Sequence, residues 1–276
     1  MLAEEGLDIE SAAGWLPRLQ VDVPKAIGVL LLSMNAILRS CRQVLLYLLV
    51  LLAAAWVSGE GYQWLLRWRA ERLLTDVRAL GIHRSGWPDA QKTMNKWGQW
   101  SVPTASCTAD ACTYQINLAQ TMLPILGGTP GKGARNWLPR MAGHLGLRSA
   151  AARAGFTLQH GVVTEKWFGE QVTLPVQDWD PSEGYVPYLS VSSHASSKFH
   201  DHPQAPNQPF PNRLVQIYPH GMNASYASDE DPSEQALLMD FRFTCITRIQ
   251  PCRDVAEILP EGWRTLQEEQ HRANTR

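Results

Sequence analysis

The chain has 276 residues, of which 45% are hydrophobic and 18% are charged. This composition predicts a folded protein with a buried hydrophobic core and excludes a disordered chain. The formal net charge of -1 leaves no excess of positive side chains for neutralising phosphates, which argues against nucleic acid as a partner.

The most distinctive stretch is the apolar run VLLYLLVLLAAAWV at 44–57, which contains no charged or amide side chain. It is shorter than the roughly 20 residues that span a bilayer, but the polar residues at its two ends can lie in the interfacial region of the membrane and so extend the span. We therefore predict a transmembrane anchor at 43–63. A cleaved secretory signal and a buried core helix are the alternative interpretations. Aromatic residues suited to an interfacial belt lie in or just after the run, at Trp56, Tyr62, Trp64 and Trp68.

The orientation of this anchor is not decided by arginine counts, because arginines lie on both sides of it. Its position near the N-terminus resembles a signal anchor, and two close cysteine pairs follow it. These features predict a cytoplasmic or interfacial segment at 1–42 and a C-terminal part outside the cytoplasm. A second span at 26–38 would form a helical hairpin and invert this topology.

After the anchor the pattern predicts two helices and a strand. The apolar face of the first helix consists of residues with helical spacing, at Leu66, Ala70, Leu73, Val77 and Leu80. The second helix is expected to start with Ser85 as its N-cap, and its apolar face comprises Trp87, Ala90, Met94 and Trp97. A half-buried strand then alternates apolar residues at Cys112, Tyr114, Ile116 and Leu118.

The rest of the chain favours an antiparallel sheet, because no helical crossovers of the length that parallel strands need are visible. His160-Gly161 is expected to be a two-residue hairpin turn. Further strands are predicted in YVPYLSV, RLVQIYP and ALLMDFRFTCITRI, followed by a short helix near Cys252. The prediction is thus an α+β domain at 64–263, with a frayed tail at 264–276.

The cysteines allow three kinds of site. Zinc prefers closer spacing than the C-x4-C and C-x6-C found here, and thiol redox chemistry prefers C-x-x-C. Local disulfides, Cys107 with Cys112 and Cys245 with Cys252, suit both the topology and the spacing, and long-range pairings of the same cysteines are the alternative. Cys41, on the other side of the membrane, is then a free thiol.

Few residues are candidates for catalysis or metal binding. Two imidazoles separated by one residue, His200 and His202, face the same way on an extended chain and are weak metal-ligand candidates, together with His194. Their loop is rich in serine, proline and asparagine, and mobile loops support metal ligands poorly. We therefore predict no metal, no cofactor and no catalytic set. Trp97, Trp100 and Trp137 are candidates for lining a groove.

Several segments carry a resemblance: RAERLLTDVRAL, SGWPDAQKTMNKWG, CTADACTYQI, GLRSAAARAGFTLQHGVV and CITRIQPCRDVAEILPEGW. Over 44–263 the chain resembles uncharacterised membrane-anchored proteins of soil bacteria of the acidobacterial type. That resemblance implies an anchored domain and no particular activity.

The resulting hypothesis is a single-pass membrane protein that carries a non-catalytic binding or scaffolding module in the bacterial envelope. Its expected partners are membrane lipid, through the anchor, and an envelope protein. One alternative is a metal-dependent envelope hydrolase that uses the His200 and His202 loop. Another is a zinc-stabilised domain that faces the cytoplasm, which requires the inverted topology.

Overall fold

The computed structural model describes residues 23–102, 107–120, 144–146, 148–175, 188–201 and 212–275. The chain divides into two compact units, Met1–Ala54 and Ala55–Arg276. Helices and a seven-stranded sheet make up the second unit, so the α+β class predicted from the sequence is confirmed.

The first helix, α1, comprises Val23–Ala79. Within the first unit its side chains are exposed from Leu38 onward, and Tyr47 is 72% exposed. The segment Leu38–Ala79 is long and apolar enough to cross a membrane. Because the side chains of the apolar run are exposed, this run is not a buried core helix of the described structure.

In the second unit α1 becomes amphipathic. The predicted face is confirmed, since Leu66, Ala70, Leu73, Val77 and Leu80 are all buried. Burial begins earlier in the chain, within the range predicted for the anchor: Gln63 is 1% exposed, and its Nε2 donates to the carbonyl of Gly146 over 3.1 Å.

The second helix, α2, comprises Trp87–Trp97 and is followed by a 3-10 turn at Gly98–Trp100. The prediction of Ser85 as its N-cap is wrong, because Gly86 occupies that position. The Ser85 hydroxyl instead accepts a hydrogen bond from the backbone N–H of Gly81, over 3.0 Å. Ser85 therefore stabilises the turn that ends α1 rather than the start of α2.

The sheet has the strand order β1-β2-β3-β4-β5-β7-β6. Its strands are β1 (Ser101–Val102), β2 (Ala111–Gln120), β3 (Ala150–Gln159), β4 (Val162–Thr173), β5 (Tyr188–Ser196), β6 (Arg213–Tyr218) and β7 (Gly221–Ala227). A 3-10 turn, Phe199–Asp201, follows β5. The apolar positions predicted for β2 largely point into the core, with Tyr114 partly buried.

The predicted hairpin between β3 and β4 is confirmed. His160 and Gly161 form its turn with φ values of 52° and 77°, the positive angles that a type I′ turn requires. This turn twists in the same sense as the flanking strands, which sets the pairing of Gln159 with Val162.

One strand pairing differs from the antiparallel prediction. β5 and β7 are parallel, with Ser190 opposite Gly221 and Ser196 opposite Ala227. The parallel pair arises because the β6–β7 hairpin adds to the sheet with its second strand innermost. The sequence analysis did not identify β7, since its buried positions include only one long apolar side chain, Met222, beside Ala224 and Tyr226.

The prediction of a strand in ALLMDFRFTCITRI is wrong. The segment contains the end of helix α3 (Pro232–Leu238) and helix α4 (Thr244–Thr247). Helix α3 starts there because the Asp231 side chain accepts from the backbone N–H of Ser233 over 2.8 Å and Pro232 suits the first turn. The apolar run then lies against the sheet, where the rings of Phe168 and Phe241 are 4.9 Å apart.

A 3-10 turn at Val255–Glu257 precedes the last helix, α5, which comprises Pro260–Asn274. The frayed tail predicted from residue 264 is thus helical as far as Asn274. Thr265 and Leu266 are buried, 4% and 6% exposed, which explains why the helix continues past residue 263. The core lies between one face of the sheet and α1, α3, α4 and α5.

Candidate functional site

The two faces of the sheet differ sharply in chemistry. One face is buried in the core, whereas side chains on the other face are half-buried or exposed and mostly polar. We call this second surface the polar face. It is formed by Gln115, Asn117, Arg153, Thr157, Glu165, Trp167, Gln171, Ser190, Ser192, His194, Asn223 and Ser225.

Trp167 is the tryptophan in the middle of the polar face, on β4. It lies opposite Gly155 on β3 and opposite His194 on β5. A Cβ atom added at Gly155 would come within 2.6 Å of the Trp167 Nε1 and 2.8 Å of its Cε2. The indole therefore occupies the space above Gly155, and a glycine at that position lets the ring lie close to the sheet.

The polar face has less side-chain bulk next to Trp167, at Gly169. Two residues beyond Trp167, Gly169 has no side chain and lies opposite Arg153 and Ser192. Gln171 is the next outward-facing residue of β4. Residues two apart on a strand share a face and are about 6.6 Å apart. Because Gly169 lies between Trp167 and Gln171 and has no side chain, it leaves a low position on the polar face beside Ser192, and we call this position the groove.

Hydrogen bonds between neighbouring strands hold several polar groups of this face. The Gln171 Nε2 donates to Ser190 Oγ over 3.3 Å, and Ser192 Oγ donates to Asn223 Oδ1 over 3.1 Å. These contacts pre-orient two amides and two hydroxyls along the groove, while each amide retains further donor or acceptor capacity.

The charge of the polar face is balanced. Arg153 supplies a positive charge and Glu165 a negative one, and the Glu165 Oε1 accepts from the Ser196 hydroxyl over 3.3 Å. Arg153 and Glu165 are the charged side chains among the residues named above for the polar face. This distribution does not favour a strongly charged ligand of either sign.

The structure describes two of the three candidate histidines. His194 lies on the polar face, and the exposed His200 Nε2 is 3.4 Å from Asp229 Oδ1. His202 lies outside the described residues. Among the residues that the structure describes, no group of three metal-ligating side chains comes together. A metal site at this loop stays an untested prediction.

The cysteines pair as predicted. Cys107 lies at disulfide distance from Cys112, and Cys245 from Cys252, with Cα separations of 4.3 and 5.5 Å. Cys41 is a free, exposed cysteine. The two pairs differ in environment, since Cys245 and Cys252 are completely buried whereas Cys107 is partly exposed.

The predicted tryptophan groove does not form between Trp97 and Trp100. Trp97 is only 3% exposed, and its Nε1 donates to Asp76 Oδ2 over 2.7 Å. Trp100 borders a small recess next to Leu118, but the Arg69 guanidinium lies 5.0 Å from its ring centre. Trp137 lies outside the described residues.

The buried face of the sheet holds an unusual polar group. Glu170 is completely buried, and neither of its carboxylate oxygens has a hydrogen-bond partner in the described part of the chain. Burial raises the pKa of Glu170 well above its ordinary value, although the positive charge of Arg67 opposes this shift. Burial also raises the pKa of Tyr226, on β7.

Comparison of the chain with protein-family models, with curated proteins and with solved structures found no match. What the polar face binds must therefore be argued from its own residues. The resemblance to membrane-anchored proteins of soil bacteria stays a prediction.

Sequence reasoning missed the polar face because its residues come from several strands that are separated in the sequence. The signals were present in single strands, where TEKWFGEQ alternates buried and half-buried positions and SVSSHAS carries serines. Neither pattern shows which strands are neighbours, so the groove appears only after pairing.

Proposed function

We propose that this protein is a single-pass membrane-anchored binding module of the cell envelope, whose C-terminal domain lies outside the cytoplasm. One candidate membrane-spanning helix and two disulfide-distance cysteine pairs support the anchor and an oxidising compartment. The polar face is the binding surface, and its role is recognition rather than catalysis.

The observation that carries this proposal is the pre-oriented polar face itself. A folded sheet commonly covers one face with helices and leaves the other to solvent. Here the solvent side holds a tryptophan laid over a glycine and cross-strand hydrogen bonds between serine and amide side chains. Aromatic area combined with a few placed polar groups is characteristic of ligand sites.

Thiol labelling in native membranes tests the topology. A membrane-impermeant maleimide, applied to intact cells and then to opened cells without reductant, should label Cys41 only after opening. Cys107, Cys112, Cys245 and Cys252 should become reactive only after reduction. Labelling of all four without reductant would contradict an extracytoplasmic, oxidised domain.

Site-specific photo-crosslinking tests the binding surface. The photoreactive residue benzoylphenylalanine is placed at Ser192 in the groove of the full-length protein, and at Arg264 on α5 as the exposed control. We expect an envelope component to crosslink at position 192 and not at position 264. Equal crosslinking at both positions, or none at position 192, would contradict a binding role for the polar face.

A further inference from the structure

We propose that the polar face binds a neutral oligosaccharide, with the indole of Trp167 as its stacking platform. This inference rests on the proposed binding function and names the ligand class. It combines three properties of the face: an aromatic ring beside a glycine-floored groove, a row of amides and hydroxyls, and a balanced charge.

The aromatic ring provides the apolar part of the recognition. A sugar ring has a face made of C–H groups, and such a face packs against the π surface of an indole. Gly155 leaves room for the Trp167 ring to lie close to β3, and Gly169 has no side chain at the adjacent outward position. A sugar unit that packs on Trp167 can therefore place its neighbour over Gly169, between the side chains of Arg153 and Ser192.

The polar groups match the edge of a sugar. Each hydroxyl of a sugar both donates and accepts, so its partners need both capacities, which amide and hydroxyl side chains supply. Gln171, Ser192 and Asn223 border the groove and are already linked to neighbouring strands by hydrogen bonds. Their pre-orientation lowers the entropy lost when a ligand is bound.

Charge and composition distinguish the ligand from other classes. Arg153 and Glu165 balance each other, so the face lacks the positive excess that an anionic polymer requires. Protein interfaces are enriched in aromatic residues, methionine and arginine at their core and depleted in serine. Serines on β5 line this groove, which favours a polyhydroxylated ligand over a protein.

The length of the row of residues that contains the groove indicates a chain of sugar units rather than a single one. This row runs across six strands from Asn117 on β2, through Arg153, Gly169, Ser192 and Asn223, to Gln216 on β6. Neighbouring strands are about 4.8 Å apart, so the five gaps span about 24 Å. A free monosaccharide would contact only part of this row.

The test uses the full-length protein in lipid nanodiscs and four soluble tetrasaccharides. Three are neutral, cellotetraose, maltotetraose and the tetramer of N-acetylglucosamine, and the fourth is anionic tetragalacturonate. Binding is measured by isothermal titration calorimetry and by saturation-transfer NMR. We expect at least one neutral tetrasaccharide to bind with a Kd below about 1 mM and tetragalacturonate to bind more weakly.

Two variants locate the site. Trp167→Ala should weaken binding by at least about tenfold, and Asn223→Ala should weaken it by a smaller factor. Trp64→Ala is the matched control, since this exposed tryptophan lies on α1 and outside the sheet. It should bind like the wild type, and all variants should keep the wild-type unfolding temperature to within a few degrees.

The outcomes separate this inference from the proposed function. Absence of binding to every neutral tetrasaccharide, or unchanged binding by Trp167→Ala, would overturn the carbohydrate inference. If position 192 then crosslinks to an envelope protein or a second copy of this chain, the binding function still stands. If it crosslinks only to residues 121–143 or 176–187 of its own chain, both proposals are overturned, because the chain itself covers the face.

Discussion

The Nζ of Lys166, in the middle of β4, lies 2.7 Å from the carbonyl oxygen of Leu80 and 3.2 Å from that of Arg78. These carbonyls lie in the last turn of α1 and just after it, where the final carbonyl groups have no partner within the helix. The Lys166 side chain thus joins the end of α1 to the sheet and satisfies acceptors that burial would otherwise leave unpaired.

Replacing Lys166 tests this connection. The substitution Lys166→Met keeps the length of the side chain but removes the donor, so we expect it to lower the free energy of unfolding by about 1–3 kcal/mol. Chemical unfolding of the full-length protein in micelles measures the change. Lys92→Met on the exposed side of α2 is the control and should leave stability nearly unchanged.

The effect of Lys166 should depend on pH. Burial, together with the charge of Arg78, lowers the pKa of Lys166 to about 8, below the value of about 10.4 in an unfolded chain. The folded protein releases this proton first, so its stability relative to Lys166→Met should rise between about pH 8 and about pH 10.4. A constant difference across this range would contradict the lowered pKa.

Glu170 should produce a pH dependence of the opposite sign. Its pKa in the folded protein is raised by burial, so the folded state holds a proton that the unfolded state releases above about pH 4.3. The wild type should therefore lose stability as pH rises above that value. Glu170→Gln stays neutral and should not show this loss.

The comparison is made by thermal unfolding of both proteins from pH 4 to pH 8. We expect Glu170→Gln to match the wild type near the acid end and to be more stable near the alkaline end. Glu165→Gln, on the polar face, is the control because its carboxylate is only half-buried. Parallel curves for wild type and Glu170→Gln would show that Glu170 is ionised in the folded protein.

The position of Gly155 should tolerate no side chain. In Gly155→Ala the new Cβ would lie 2.6 Å from both the Tyr114 carbonyl oxygen and the Trp167 Nε1. We expect a loss of about 1–3 kcal/mol in the free energy of unfolding from this overpacking. The variant should also move the indole and weaken ligand binding at the polar face.

A double-mutant cycle separates the two contacts of Gly155. In a Trp167→Ala background the ring is gone but the Tyr114 carbonyl remains, so Gly155→Ala should cost less than in the wild type and still more than zero. Equal costs in both backgrounds would show that the indole does not lie over Gly155. Unfolding in denaturant, with unchanged m-values, provides the four free energies.

The two disulfides should contribute unequally. Both close short loops and constrain the unfolded chain by roughly 2 kcal/mol each. Serines at Cys245 and Cys252 would also bury hydroxyls in the main core, where both positions are 0% exposed. We expect the paired serine variant at these positions to lose more thermal stability than the paired variant at Cys107 and Cys112.

Unfolding temperatures of the wild type and the two paired serine variants, each with and without reductant, measure this difference. Reductant should lower the unfolding temperature of the wild type and of each variant that retains one disulfide. Equal losses in the two variants would contradict the assigned difference in burial. Cys41→Ser serves as the control, because this free cysteine is exposed in the other unit.

Features set by neighbouring residues were predictable. The buried stripe of α1 follows from apolar spacing that matches the helical repeat, and the His160-Gly161 turn from the need for positive φ angles. The cysteine pairs were predictable because the two cysteines of each pair are close in the sequence, so they can bond without depending on how the rest of the chain folds. The exposed apolar run of α1 likewise follows from its own composition.

Features that depend on distant residues were not predictable. The alternation of apolar and charged residues in LLMDFRF suits a strand, but this segment connects α3 to α4 and packs Phe241 and Phe243 against Phe168. The parallel pairing of β5 with β7 depends on which strand of the β6–β7 hairpin lies next to β5. Strand order also brought Trp167, Gly155 and His194 into one row.

The sequence by itself determined the apolar segment of α1, the amphipathic helix faces, the hairpin turn and the cysteine pairs, because each depends on residues close together in the chain. Only the tertiary structure decided the polar face and the burial of Glu170, because both depend on which strands are neighbours and which face the helices cover. Side-chain alternation assigns residues to two faces, but the packing of the whole chain decides which face is buried.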